Sequence, residues 1–280
     1  MDQQKHIPRV NLHTHTSRCK HASGNIHDYC KAAVEAGISI LGFSDHSPFP
    51  DHEYQPSRMD FSELPAYRRE IEEARRVFPE LTILAGLEID YRPVLGVNFY
   101  KEEFLEKQDL DYLIAGAHFL PAANGQPARH LDCEKPISLP LLREFVRTTI
   151  EIMETGLVSY IAHPDITALV CDRWTPDHRA AYKDIIEASL ALNIPLEINA
   201  YGLRKKPIET VEGIRPPYPW LPFWELAAEY GIRAVAGADA HRPEDVWGNI
   251  EDAMAIGEKL GLPNRNHEVA QEIIRRRTQG

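Results

Sequence analysis

Short apolar segments alternate with amphipathic segments along the whole chain. Seven apolar runs, each followed by polar residues, have the composition of strands buried in a parallel sheet. Between them, apolar positions repeat at helical spacing, and Asn25 and Gly37 mark the two ends of the first helix. This alternation predicts an α/β fold on a closed or nearly closed parallel barrel. The predicted strands cover residues 10–12, 38–43, 81–87, 112–117, 158–162, 195–198 and 233–238.

The same periodicity predicts helices in the segments that connect the strands. Thr175 followed by Pro176 is a start signal for one helix, and Gly156 and Gly231 end two others. Three polar connections are longer than ordinary turns, and we expect them to rim an active site. The predicted helices cover residues 26–36, 62–78, 100–107, 141–155, 175–192, 220–230, 243–260 and 267–277, and the predicted loops cover 47–60, 119–138 and 200–217.

Length and charge narrow the class of protein. With 280 residues the chain has the size of a single α/β barrel domain, and its net charge of −11 disfavours a general nucleic-acid-binding protein. We expect no membrane partner, because no apolar run approaches the roughly 18 residues of a membrane span. The first residues lack the apolar segment of a secretory signal, and the four cysteines form no Cys-x-x-Cys pair. These features favour a cytoplasmic protein; its oligomeric state stays open.

Residues that bind metal ions occur at the ends of the predicted strands. His13 and His15 follow the first strand, where residues two apart point to the same side, and His21 can return from the next loop. The carboxyl ends of parallel barrel strands form one face, so the other candidates should lie beside them. Histidine and carboxylate suit zinc, manganese or iron, and we expect two to three divalent transition-metal ions. The candidate ligands are His13, His15, His21, His46, Glu88, His118, His163, Asp239 and His241.

The remaining histidines provide a comparison within the chain. A lone His-x-His pair would be equally compatible with unrelated surface histidines. Chance placement of the whole candidate set at strand ends is hard to credit, so the pattern favours a multinuclear metal site. Six histidines fall in predicted helices, loops or tails and should lie outside it: His6, His27, His52, His130, His178 and His267.

The motifs around the candidate ligands resemble those of the polymerase and histidinol phosphatase (PHP) superfamily. The resemblance spans most of the chain and implies a distorted (β/α)7 barrel, which matches the seven predicted strands. It also implies a single PHP-type metallophosphoesterase domain over residues 1–280. The motifs are His13-x-His15, His21, Asp45-His46, Gly86-Leu87-Glu88, Gly116-Ala117-His118, Ala162-His163-Pro164 and Asp239-Ala240-His241.

The resemblance further implies how the ligands divide among three metal ions. Glu88 would bridge two of them, since a carboxylate can bridge two ions and an imidazole cannot do so comfortably. Two ions about 3.5–4 Å apart can activate water for phosphate-ester hydrolysis at neutral pH. The implied sets are His13, His15, Glu88 and Asp239 for the first ion, Glu88, His118 and His163 for the second, and His21, His46 and His241 for the third.

Within the superfamily, the chain most resembles the monofunctional histidinol-phosphatases, in segments 21–24, 42–48 and 197–205. This implies hydrolysis of a small phosphate monoester, foremost L-histidinol phosphate, to L-histidinol and phosphate in histidine biosynthesis. Nucleotides or sugar phosphates are alternative substrates, and a non-catalytic metal-binding module ranks lower. A polymerase-linked PHP exonuclease would need a basic surface for DNA, which the net charge of −11 disfavours. An amidohydrolase typically has a strand-end lysine, which the predicted strands lack.

Roles follow for several residues near the ligands. Asp45 would orient a histidine or protonate the leaving group, and the guanidinium of Arg204 suits phosphate. A histidinol-phosphatase is expected to carry a basic residue soon after the His-Pro-Asp segment, whereas the first cation here is Arg173, which leaves the substrate open. The candidate catalytic residues are Asp45, Glu88 and Asp239, and the candidate substrate contacts are Arg204, Asp165 and Asn199.

Overall fold

The computed structural model describes residues 8–120 and 129–279, and its centre is a ring of parallel strands. The strands are β1 (Arg9–Asn11), β2 (Ile38–Phe43), β3 (Thr82–Ile89), β4 (Tyr112–Ala115), β5 (Phe119–Leu120), β6 (Arg129–His130), β7 (Leu196–Asn199), β8 (Ile208–Thr210), β9 (Gly213–Arg215) and β10 (Ala234–Gly237). The first four strands pair in chain order as one parallel sheet, and β7 pairs with β10 as a second.

Single parallel bridges join these two sheets into the ring. Ile161 bridges both Ala115 and Leu196, while Thr14 bridges Ala240 beyond β10. The ring therefore has the predicted seven parallel segments, and the expected α/β barrel is confirmed. The predicted fifth strand over 158–162 is reduced to the bridge at Ile161. It forms two backbone hydrogen bonds with the β4 segment and two with the β7 segment, too few for a continuous ladder with either.

Helices cover the outside of the ring. An Asn25–Asp28 capping box starts α1, and the Thr175 side chain caps α5, as the sequence predicts. The helices are α1 (Ile26–Glu35), α2 (Leu64–Val77), α3 (Gly96–Tyr100), α4 (Leu139–Glu154), α5 (Pro176–Leu192), α6 (Tyr201–Arg204), α7 (Leu221–Tyr230), α8 (Ile250–Lys259) and α9 (Asn266–Gln279). Over the two described ranges, no helix has both the length and the apolar character needed to cross a membrane.

The last helix fills the amino end of the ring. Val269, Ala270 and Ile273 of α9 pack among apolar side chains inside the ring, including Val10 and Ile114. At the start of the same helix, the Asn266 side chain donates hydrogen bonds to the carbonyls of Val10 in β1 and Ala236 in β10. The amino end of the ring is therefore closed, and its carboxyl end is left open for a site.

Several predicted boundaries shift in the structure. The helix expected over 100–107 begins earlier, as α3, and continues as a π-helix over Lys101–Glu106. The helix expected from 243 begins only at Ile250, because Asn249 has a positive φ of 55°. The predicted loops at 119–138 and 200–217 contain the antiparallel pairs β5–β6 and β8–β9. Residues 121–128 of the first loop, and His6, lie outside the described residues.

Candidate metal centre

All nine candidate ligands meet at the carboxyl end of the ring. Glu88 lies near the end of β3, and the other candidates follow a strand segment or lie in the loop after one. Parallel strands present their carboxyl ends on one side of the ring. The backbone of His163 and Asp239 has positive φ angles of 31° and 48°, which are uncommon for residues other than glycine and cluster at functional sites. Both side chains line a cavity of about 440 Å³ that opens at this end.

Glu88 lies at the centre of the cluster and is 1% exposed. Two ligands of one metal ion, each about 2.1 Å from it, lie about 3.0–3.4 Å from each other. The spacing around Glu88 is close to this range and fits a carboxylate shared between ions. Its Oε2 is 3.6 Å from His13 Nε2, 3.5 Å from His15 Nε2 and 3.0 Å from His46 Nδ1, and its Oε1 is 2.9 Å from His163 Nε2.

His13, His15 and Asp239 form one group beside Glu88. The two Nε2 atoms are 3.1 Å apart, and Asp239 Oδ1 lies 3.6 Å from the first and 3.3 Å from the second. All three residues are buried. A divalent ion between them would have two imidazole ligands and two carboxylate ligands, counting Glu88.

His118 and His163 face the other oxygen of Glu88. Their Nε2 atoms lie 3.7 Å and 2.9 Å from Oε1. Gly116 makes this approach possible, because a Cβ at that position would lie 2.4 Å from His163 and 2.5 Å from Glu88. Any residue with a Cβ would therefore clash with these two side chains, so the position requires glycine.

His21 and His241 form a third group, with their Nε2 atoms 3.0 Å apart. Each Nδ1 donates to a backbone carbonyl, that of Cys19 at 2.7 Å and that of Asp239 at 3.0 Å. A carbonyl can only accept, so each neutral ring carries its proton on Nδ1 and turns a lone pair on Nε2 toward the other ring. Two lone pairs at this distance repel unless a cation lies between them. The His46 ring stacks on His21, with centroids 5.4 Å apart.

Burial opposes the charge of His13 and His118, but nearby carboxylates outweigh it and raise the pKa of His13 well above its usual value and that of His118 to about 9. The charge states of four other candidate histidines suit metal binding directly. Burial lowers the pKa of His15, His21 and His46, and that of His241 to about 4. These rings are therefore neutral near pH 7, and neutral imidazole is the form that binds metals. Burial opposes the charge of Glu88, but the neighbouring histidines outweigh it and hold the pKa of Glu88 well below its usual value.

Two carboxylate oxygens in the cluster are unsatisfied. Glu88 Oε2 and Asp239 Oδ1 are buried and have no hydrogen-bond partner among the residues that the structure describes. Buried polar atoms are nearly always paired, because leaving one unpaired costs free energy. The unpaired oxygens and the facing lone pairs together fit divalent transition-metal ions.

Two buried residues of β7 form hydrogen bonds that position the candidate ligands. Glu197 accepts from His13 Nδ1 at 2.8 Å and from the His163 amide at 3.1 Å. Asn199 donates to Glu197 at 2.8 Å and to Asp239 at 3.1 Å. The sequence predicts a substrate contact at Asn199, and the structure places this residue behind the ligands instead. Sequence reasoning missed Glu197, although a carboxylate within an apolar strand is an available signal.

Asp45 and Asp90 also support the cluster. Both oxygens of Asp45 accept from Thr16, at 2.9 Å from its amide and 2.8 Å from its hydroxyl, which fixes the turn before His21. The predicted catalytic Asp45 therefore faces a backbone turn rather than the cavity. Asp90 Oδ1 lies 3.3 Å from His118 Nδ1, and sequence reasoning missed this role of Asp90. Asp90 follows Glu88 by two residues, a spacing that could have indicated a shared face.

Arg204 and Asp165 lie away from the cavity surface. The Arg204 guanidinium donates to the carbonyls of Ala238 and Gly248, which tie α6 to the segment after β10. Asp165 accepts from the Trp220 amide and from the Trp224 indole. Neither predicted substrate contact lines this cavity, and Arg204 instead lines an adjoining pocket together with His21, His241 and Lys205.

Lys205 and several aromatic residues line the cavity instead. Within the described ranges, no carboxylate pairs with the Lys205 ammonium, which lies 4.0 Å from the centre of the Tyr201 ring. Tyr54 and Phe119 stack at 3.9 Å, with an interplanar angle of 8°. His130, expected outside the site, lines the cavity beside Phe119. Neither the orientation of Lys205 nor the position of His130 has a local signal in the sequence.

The sequence profile of the PHP domain family matches residues 11–201 of the chain. The chain belongs to the PHP domain family. A probable histidinol-phosphatase from Deinococcus radiodurans is 32% identical over 244 residues, which cover 86% of this chain and 90% of that protein. A probable phosphatase from Shewanella amazonensis is 27% identical over 258 residues, covering 91% and 85%.

The fold of a solved structure is similar to the ring described above. The histidinol phosphate phosphatase of Lactococcus lactis, solved with zinc, L-histidinol and phosphate, superposes with a TM-score of 0.69 at 18% identity, covering 91% of this chain and 95% of that one. The family and its named relatives make the chain a phosphoric monoester hydrolase, as its motifs predicted.

Proposed function

We propose that the protein hydrolyses L-histidinol phosphate to L-histidinol and phosphate, a step of histidine biosynthesis. The observation that carries this proposal is the nine-residue cluster around Glu88 at the floor of an open cavity. The names of the Deinococcus and Lactococcus relatives support the substrate. The cavity volume of about 440 Å³ suits a small phosphate ester.

The cluster would hold three divalent ions, in the sets implied by the family motifs. His13, His15, Glu88 and Asp239 surround the first position, and Glu88 with His118 and His163 the second. His21, His46 and His241 surround the third. Bound divalent ions supply Lewis-acid stabilisation of phosphoryl oxygens and activation of water at neutral pH. The mixed imidazole and carboxylate donors suit zinc, manganese or iron.

The protein's own residues bind and orient the ester. Lys205, in place of the predicted Arg204, is a cation that lines the cavity and can hold a phosphate oxygen. Arg58 lines the cavity as well, but its guanidinium is buried against Asp90. Glu197 and Asn199 keep His13 and Asp239 in place while charge shifts on the phosphate. Water adds its oxygen to phosphorus as the P–O bond of the ester breaks. In the overall balance, a proton from the same water passes to the leaving alkoxide, so that phosphate and the alcohol are released.

The outer wall of the cavity suits a planar leaving group. Tyr54, Phe119 and Tyr218 line it, together with the aliphatic side chains of Ile166 and Leu169. An imidazole ring can pack against such a wall through offset or edge contacts. A nucleotide base is also planar, so nucleotides stay an alternative substrate class, and the Shewanella relative carries no more specific name than phosphatase.

Purified protein should be tested on a substrate panel after elemental analysis. Protein prepared without chelator should contain two to three transition-metal ions per chain and lose activity when they are removed. The kcat/KM for L-histidinol phosphate should exceed that for nucleotides, sugar phosphates and p-nitrophenyl phosphate by at least about tenfold. Equal values would reject histidinol phosphate and leave a general phosphomonoesterase, whereas full activity of metal-free protein would reject the metal centre.

A further inference from the structure

Arg58 is a buried cation outside the proposed ligand sets. It belongs to segment 47–60, which forms part of the cavity wall, and its side chain is 1% exposed. The guanidinium donates to the Ser47 carbonyl at 2.7 Å and to the Tyr54 carbonyl at 3.2 Å. Its remaining nitrogen lies 3.1 Å from Asp90 Oδ2. Burying an arginine in this way needs a matching anion, and Asp90 supplies it.

The second oxygen of Asp90 faces a proposed metal ligand. Asp90 Oδ1 accepts from the amides of His118 at 3.0 Å and Phe119 at 3.3 Å, and it lies 3.3 Å from His118 Nδ1. The two amide hydrogen bonds hold the His118 backbone in place. The Asp90 charge lies beside Nδ1, which has no hydrogen-bond partner of its own among the described residues, and favours the ring orientation that turns Nε2 toward the metal position. Arg58, Asp90 and His118 therefore form a continuous chain from the wall to the floor of the cavity.

The same guanidinium also supports the aromatic wall. Its central carbon lies 5.0 Å from the centre of the Tyr54 ring and 5.8 Å from that of Phe119. These are the two rings that stack at 3.9 Å beside the cavity. Arg58 thus contacts the wall proposed for the leaving group and, through Asp90, the residue proposed for the second ion.

We propose that Arg58 is a positioning residue that couples leaving-group recognition to the His118 side of the metal centre. Its charge keeps Asp90 directed at His118, and its planar group holds Tyr54 and Phe119 together. The inference rests on the proposed function for the role of the wall, while its effect on metal binding does not depend on any particular substrate. Outer residues of this kind typically change metal affinity 10–100-fold when they are removed.

Arg92 offers a matched control within the same neighbourhood. It lies near the Tyr54 and Phe49 rings, at 6.0 Å and 4.8 Å, and it forms two hydrogen bonds of 2.8 Å and 2.7 Å with Asp51. The Asp51 side chain is 49% exposed and contacts no proposed ligand. Arg58 and Arg92 thus both lie near Phe49 and Tyr54, and each pairs with an aspartate of its own. Only the aspartate partner of Arg58 contacts a proposed metal ligand.

The test compares Arg58→Met, Arg58→Lys and Arg92→Met with the unaltered protein. Zinc affinity is measured by competition with a chromogenic chelator, and the ratio of kcat/KM for p-nitrophenyl phosphate over glycerol phosphate reports the preference for an aromatic leaving group. Arg58→Met should weaken the binding of at least one zinc ion 10–100-fold and lower the ratio several-fold. Arg58→Lys should recover part of both losses, and Arg92→Met should stay within twofold.

Thermal unfolding and circular dichroism of each variant separate positioning from loss of fold. If Arg58→Met does not fold, Asp90→Asn replaces it, because the amide keeps the shape of the side chain and removes its charge. Folded Arg58→Met or Asp90→Asn protein with unaltered zinc affinity would overturn the proposal. Failure of the unaltered protein to hydrolyse histidinol phosphate would reject the proposed function alone, since the zinc measurement would still report on Arg58.

Discussion

The floor and the rim of the cavity are built in different ways. The floor is formed by the nine candidate ligands, which lie at the carboxyl ends of strands of the ring or in the loops that follow them. The rim comes from α6 and Lys205 after it, from segment 47–60, and from Phe119 and His130, whose orientation depends on contacts distant in sequence. The positions of the floor residues are set by the strands, which a local sequence pattern predicts. The orientations of the rim residues are set by packing that no local pattern predicts.

Two adjacent residues in α6 and its end illustrate the difference. Arg204 and Lys205 are both cations, and either could face a phosphate. The structure turns Arg204 toward the carbonyls of Ala238 and Gly248, and Lys205 toward the cavity. A comparison of floor and rim therefore predicts separable effects, because floor residues should control metal content and rim residues should control KM and selectivity.

The largest effect is expected at the floor, from Glu88→Ala. The substitution removes the oxygens that lie beside histidines of all three proposed metal sets, so kcat should fall by at least about 10³-fold. Metal content should fall in parallel when measured by elemental analysis. Glu258→Ala, on the exposed side of α8, is the control and should change neither value. A Glu88→Ala protein with full metal content and activity would remove Glu88 from the centre.

A smaller effect is expected at the rim, from Lys205→Met. A hydrogen bond to a charged group contributes about 1.5–3 kcal/mol, so loss of the ammonium should raise KM about tenfold or more. Metal content should not change. The exposed neighbour Lys206 provides the matched control, since Lys206→Met should leave KM within twofold. If Lys205→Met lowered metal content instead, the division between floor and rim would be wrong.

The smallest effect is expected from His130→Ala. His130 lies at the rim beside Phe119, so its loss should leave metal content unchanged and shift KM only a few-fold. His27→Ala is the control, because His27 packs on Phe78 outside the cavity and should alter neither quantity. Release of metal from His130→Ala protein, with retention in His118→Ala, would contradict the assignment of the floor.

The sequence predicts most of the floor and less of its support. Apolar strands that end in histidine or carboxylate residues are a local pattern, and that pattern alone indicates His118, His163 and the other ligands. Glu197 escapes notice because it precedes the end of β7 and its partner, His13, is 184 residues away. The helix over Lys101–Glu106 shows the same limit, since its apolar spacing predicts a helix and does not distinguish α from π geometry.

The facing pair of His21 and His241 has a consequence for synthesis of the protein. These residues are 220 positions apart, one after the first strand of the ring and the other after the last. A growing chain can expose His21 early, but the third metal position cannot form until the ribosome has released the segment after β10. We therefore expect a nascent chain truncated before Asp239 to bind fewer metal ions than the finished protein. Metal insertion would then be a late event, and an ion at this position would join the first and last parts of the barrel.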